Sequence, residues 1–230
     1  MTITVIIASF GDLHWERLGR MRALASTVDQ GFDEVIVKHE EEMTLAEVRN
    51  AAAHEATGDY LLFLDADDVI APGYLAAMRA ALAEQPAGEY LLTPAIQYGA
   101  GKVFSPPRFW PECEIETGNW MVVGTLVPRR VFLFVQGWDE YELYEDWALW
   151  AKCVLEGLTI VKVPDAHYMV YVTANSRNRG KPRKTYLYWR QRIGADIWPD
   201  LYLPPTEEED AARQLETPLR FVETRGTPCA

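Results

Sequence analysis

Apolar positions along this chain switch between a period of two and a period near 3.6, and the switches set out its elements. Thr2 to Ala8 alternates and is β-branched, which predicts a first strand. Leu18, Met21, Leu24, Ala25 and Val28 recur at helical spacing, so Leu13 to Val28 reads as a helix. Glu34 to Lys38 predicts a short second strand, and Leu45 to Ala56 an alanine-rich helix stopped by Gly58. Tyr60 to Leu64 is a near-continuous apolar run, as expected of a strand buried on both faces. Pro72 opens a helix through Glu84, ended by Pro86. Strand and helix thus alternate over the first 86 residues, which predicts a parallel sheet with right-handed crossovers.

Further along, Tyr90 to Tyr98 predicts another strand, and residues 99–120, rich in Gly and Pro, a loop. Trp120 to Val127 is apolar. Arg129 to Val135 predicts a short helix and Glu145 to Glu156 a strongly amphipathic one, followed by strands at Thr159 to Val163 and Tyr168 to Thr173. A basic loop follows. From Pro204 the chain is polar and interrupted by proline, which reads as a marginal helix and a loose end.

Length and charge narrow the class. A chain of 230 residues with 49% hydrophobic content can bury one sizeable α/β core. Cys113, Cys153 and Cys229 are odd in number and far apart, which argues against a disulfide frame or structural zinc. The start of the chain has no basic region and enters a strand at once, and no apolar stretch is long enough to span a bilayer. Both point to a cytoplasmic address. The net charge of −12 opposes generic binding to nucleic acid or anionic membrane. Residues 177–192 nevertheless carry seven Arg and Lys and no acid.

The chemistry concentrates where the third strand ends. Asp65, Asp67 and Asp68 follow the apolar run directly. Parallel α/β sheets bind ligands beyond the carboxyl ends of their strands, and carboxylates clustered there repel one another unless a cation lies between them. A hard ion such as Mg²⁺ takes one or two carboxylates and fills its other positions with water and phosphate oxygens. The pattern therefore points to a metal–phosphate site, against the alternative of a solvated turn with Asp68 starting the next helix. Five of the eight tryptophans lie between residues 110 and 150, and sugars stack on aromatic rings, so Trp120 and Trp138 are candidates for an acceptor cleft.

Four motifs in register then resemble family-2 glycosyltransferases of the GT-A fold over residues 1 to about 165. They are Arg49-Asn50-Ala51; Gly58 to Asp68 with its Asp-x-Asp core; Gly137-Trp138-Asp139-Glu140; and Tyr144-Glu145-Asp146-Trp147. The resemblance implies an α/β fold, a three-layer α/β/α sandwich around a mostly parallel, mixed sheet. It implies one domain over 1–203, with a donor half (1–98), an acceptor half (99–203) and a tail at 204–230. The implied activity is transfer of a sugar, with inversion, from a nucleotide-diphosphate sugar, most commonly UDP-linked, to a hydroxyl of a carbohydrate, protein or other acceptor.

The implied roles follow the motifs. Asp65 holds the donor ribose, Asp67 binds Mn²⁺ or Mg²⁺ with Asp65 beside it, and Ala66 lies at the donor between them. Asp146 is the general base, with Glu145 as the alternative, and Arg49 pairs with donor phosphate or with nearby acids. His167 falls where some relatives place another metal ligand.

Two departures from the family bear on the donor. After the second strand the usual acidic turn is replaced by His39-Glu40-Glu41-Glu42, so His39 or Glu40 would contact the nucleobase. In the first loop Ala8 to Asp12 replaces the family's usual residues, leaving Ala8 and Phe10 as donor contacts. Arg177 and Arg179, in the basic loop 177–184, would close over the diphosphate. The same loop, interleaved downstream with Tyr186, Tyr188 and Trp189, could instead meet a phosphorylated or nucleic-acid acceptor. A metal-dependent nucleotidyltransferase is a competing class, though the Gly-rich phosphate loop expected after the first strand is missing. A non-catalytic carbohydrate-binding module has no need of the acids.

Overall fold

The computed structural model describes residues 1–109, 114–172, 183–202 and 204–206. Strands β1 (Ile3–Phe10), β2 (Glu34–Glu40) and β3 (Tyr60–Asp65) run parallel in the order β2-β1-β3. Helices α1 (Leu13–Met21), α2 (Ala23–Thr27) and α3 (Leu45–Glu55) supply the crossovers. The single helix expected over 13–28 is broken at Arg22, whose φ of −118° leaves helical geometry. The break is tied down by tertiary contacts. Arg22 donates to the Asp67 carbonyl at 2.9 Å and stacks 4.1 Å from the centre of the Tyr171 ring.

After β3 come β4 (Val69–Ile70), α4 (Tyr74–Ala83), β5 (Tyr90–Ala100), β6 (Val103–Phe104) and β7 (Val127–Pro128). Then follow α5 (Arg129–Phe134), α6 (Glu145–Leu155), β8 (Thr159–Tyr171) and α7 (Arg183–Ile197). β7 lies antiparallel to β3 and completes one four-stranded sheet. A second has the order β4-β8-β5-β6 and is linked to the first through a bridge between Leu126 and Leu92. Long pairings are parallel and short ones antiparallel, so the sheet system is mixed and mostly parallel, as the resemblance implies. The two strands expected at 159–163 and 168–173 are one strand. Opposite Pro94 and Ala95, β8 runs from Val163 to His167, so residues 164–166 bulge out where proline lacks a ladder N–H.

Side chains alternate across β1 and β3. Ile6, Leu61 and Phe63 face α3, α5 and α6 in one core, while Ile3, Val5, Ile7, Leu62 and Leu64 face α4 in the other. Helices thus cover both faces of the sheet. Among the described residues no helix is long and apolar enough to cross a membrane. The sequence pattern assigns no element to 185–197; α7 covers them and buries Tyr188, Trp189 and Ile193.

One glycine is fixed by close approach. A Cβ on Gly124 would lie 2.1 Å from the buried Tyr168 ring, and the Gly124 carbonyl accepts from the Tyr74 hydroxyl. Gly124→Ala is therefore expected to cost about 1–3 kcal/mol of stability. The loss should be read as a lower urea midpoint at unchanged m value.

Candidate active site

Three parallel strands end at one edge, and their register places Ser9 beside His39, Phe10 beside Glu40, and Ala8 beside Asp65. Ala8 and Ala66 are buried, so their side chains are closed to a ligand, while Phe10 is exposed. A cavity of about 490 Å³ opens here, lined by His39, Glu40, Glu41, Glu42 and Met43. Nδ1 of His39 lies 3.0 Å from Ser9 Oγ. Its Nε2 is buried with no hydrogen-bond partner among the described residues. The imidazole is thus fixed by Ser9, with its Nε2 closed to solvent.

The three carboxylates after β3 turn different ways. Asp65 pairs with Arg49 at 2.5 Å and keeps 28% of its side chain exposed. Asp68 is buried and accepts from the Tyr171 N–H at 2.9 Å, which fastens the β3–β4 turn to the end of β8. Burial, and then the charges of Asp65 and Asp67, hold its carboxyl well above the usual carboxylate range. Asp67 is half-buried, on a turn braced by Arg22 at its carbonyl. Among the described residues no three His, Cys, Asp or Glu side chains form a metal cage of their own. Mutually repelling acids with one or two partly open carboxylates fit a hard divalent ion whose remaining ligands are phosphate oxygens and water.

His167 does not join them. Its carbonyl accepts from Ala71 N, Tyr168 pairs with Ile70, and Tyr171 reaches Asp68. The Tyr168 hydroxyl accepts from Asp65 N, so Tyr168 points toward the acids and His167, its neighbour along β8, points to the opposite face. The expectation of a third metal ligand is corrected by this register.

Of the two kinds of partner expected for Arg49, the structure shows the nearby acids. Arg49 is 1% exposed, hence closed to a phosphate. One guanidinium nitrogen meets Asp65, another meets Glu145 at 3.4 Å, and its plane lies 4.2 Å from the centre of the Trp138 ring. Asn50 beside it clamps the same loop, donating to the Trp138 carbonyl and accepting from the Trp138 N–H, each at 2.9 Å. α3 is itself fixed by a capping box between Thr44 and Glu47.

α6 starts at Tyr144, which has a φ of +63° and no side-chain cap. Glu145 and Asp146 fill that first turn, where the helix dipole favours acids. Asp146 Oδ1 accepts from Trp147 N at 2.9 Å. The residue is half-buried, and packing strips most of the water from its carboxyl. Burial first, then the Glu145 charge, push it up to about 7, opposed by the Trp147 N–H, the Asn119 amide and Arg49. Asn119 had no signal in the sequence, because it comes from the loop before β7.

The two tryptophans proposed for an acceptor cleft are core residues. Trp138 is 3% exposed, edge-on to Phe63 and Trp150, and Trp120 is 6% exposed within the same core. Rings buried to that degree present no face to a sugar. Arg177 and Arg179 lie outside the described residues, as do most of the basic loop and of the tail.

Residues 20–130 match the family model described as glycosyl transferase family 2. No curated protein matches the chain. Among solved structures, S. aureus TarS 1-349 in complex with UDP-GlcNAc superimposes with a TM-score of 0.62 at 17% identity, covering 86% of this chain and 66% of that one. GalNAc-T7 with UDP, GalNAc and Mn²⁺ gives a TM-score of 0.59 at 15% identity, covering 86% and 49%. This chain therefore spans two thirds or less of the length of either, and the likeness shows a shared GT-A-like fold.

Proposed function

We propose that this chain, whose residues 20–130 match the glycosyl transferase family 2 model, transfers a sugar from a nucleotide-diphosphate sugar to an acceptor hydroxyl. The observation that carries the reading is the meeting, through buried Arg49, of the acids ending β3 with the start of α6. The bound UDP-GlcNAc of one neighbour, and the UDP and Mn²⁺ of the other, favour a UDP-linked donor and a divalent ion here.

Residues 1–98 take the donor and residues 99–203 the acceptor. His39 and Glu40 face the nucleobase in the cavity at the end of β2, and Phe10 flanks it. Asp65 contacts the ribose. A divalent ion such as Mn²⁺ or Mg²⁺, held by Asp67 with Asp65 beside it, supplies Lewis-acid stabilisation of the departing diphosphate. Asp146 takes the proton of the acceptor hydroxyl on a carboxylate oxygen. The hydroxyl oxygen bonds to the anomeric carbon as the bond from that carbon to the diphosphate oxygen breaks, and that electron pair leaves with the nucleoside diphosphate. Attack opposite the leaving group inverts the anomeric centre. Glu145, engaged by Arg49, is the poorer candidate for the base.

A thermal-shift panel of nucleotide-sugars, each with and without Mn²⁺, tests the reading. A donor at 100 times its Kd should stabilise the protein by about 2.7 kcal/mol, and only with the ion present. Turnover of that donor must release a nucleoside diphosphate. Release of pyrophosphate would make the protein a nucleotidyltransferase and sink the reading.

A further inference from the structure

Arg49 joins three separate elements. It belongs to α3; its carboxylate partners are the last residue of β3 and the first of α6; its face packs on Trp138 from the loop before α6. A guanidinium this deeply buried is costly unless opposed by charge, and removing one member of such a group leaves the others uncompensated. Successive helical residues point about 100° apart. With Glu145 drawn inward to Arg49, Asp146 is turned to a different side, toward the Asn119 amide. The charged and titratable groups around Asp146 are Glu145 on its own helix, Arg49 from α3 and Tyr144 at the helix start; the Asn119 amide and Trp147 N–H are the polar ones.

We propose that Arg49 is a positioning residue whose guanidinium braces the end of β3 against the start of α6 and offsets the Glu145 charge, so that Asp146 is the carboxylate that exchanges the proton. This rests on the reading of Asp146 as the base. It makes the Arg49-Asn50 pair part of the base's mounting: Arg49 sets the direction and charge of the helix start, and Asn50 holds the backbone of the loop leading to it.

The test is a titration of the full chain labelled with ¹³C-aspartate, the Asp146 carboxyl signal being identified by its loss in Asp146→Asn. Glu145→Gln removes a repelling charge and should lower the Asp146 midpoint by at least about 0.5 pH unit. Arg49→Met removes an attracting charge and should raise it by a similar amount, about 0.5 unit or more. The double variant should return close to the unmodified midpoint, an outcome that a packing role alone does not produce. Arg49→Lys keeps the charge without the planar fork and should give a smaller rise. If Arg49→Met does not fold, Glu145→Gln and Arg49→Lys decide. An Asp146 midpoint unmoved by Glu145→Gln overturns the proposal. Full turnover in Asp146→Asn, with midpoints moving as expected, instead removes the base reading and leaves the electrostatic bracing standing.

Discussion

Asp146→Asn is expected to lower turnover by at least about 10²-fold while donor affinity stays near that of the unmodified protein. Asparagine has the same shape, and its Oδ1 can still accept from Trp147 N, so the helix start keeps its geometry. What it loses is the basic carboxylate proposed to take the acceptor proton. The unmodified carboxyl, pushed up to about 7 by burial and by Glu145, makes kcat/KM rise with pH through that range, and the variant should show no such limb. Stability should move the opposite way. A carboxyl whose folded value is raised contributes stability that is fully present below its unfolded value, near 4, and is lost as pH climbs through about 7. The melting temperature of Asp146→Asn should therefore exceed that of the unmodified chain by a margin that widens from pH 4 to pH 8. Full turnover with the donor found by thermal shift would show that another group is the base.

What could be read from sequence was local. An apolar run of strand length that stops at Asp65 needs only the rule that buried strands are apolar and ligand edges polar, and β3 ends there. The helix over 145–155 follows from spacing alone, including its two acids at the start. Arg49 illustrates what spacing cannot carry. The motif leaves its partner open between donor phosphate and nearby acids; the acids it meets are 16 and 96 residues away, and no local pattern specifies their meeting. His167 failed for a similar reason. Which face it takes depends on the ladder between β4 and β8 and on a bulge opposite Pro94, both set by strand pairing. Trp120 and Trp138 have the chemistry of sugar-stacking residues, but aromatic rings also fill cores, and burial decided between the uses. α7 was obscured because its first turn is basic and its buried set is short, anchored by Tyr188, Trp189 and Ile193.

Asp67→Ala is expected to abolish the Mn²⁺-dependent part of donor binding. The three acids after β3 are unequal. Asp65 is held by Arg49, and Asp68 is buried on Tyr171 N, so both contribute to the framework. Asp67 is half-buried, and the Arg22 contact that braces its turn goes to the backbone carbonyl, which alanine retains. Removing its charge relieves part of the repulsion that, after burial, raises the Asp68 carboxyl. The bound state would lose the carboxylate proposed to share an ion with the diphosphate. At 100 times Kd, binding adds about 2.7 kcal/mol, or roughly 5–10 °C in melting temperature for a chain of this size. That shift should vanish in Asp67→Ala with Mn²⁺ present. Asp68→Ala should behave differently: the free protein melts lower, because the turn is released from β8. An undiminished Mn²⁺-dependent shift in Asp67→Ala would mean that the ion, if one binds, is held elsewhere, and the donor geometry proposed for this edge would have to be given up.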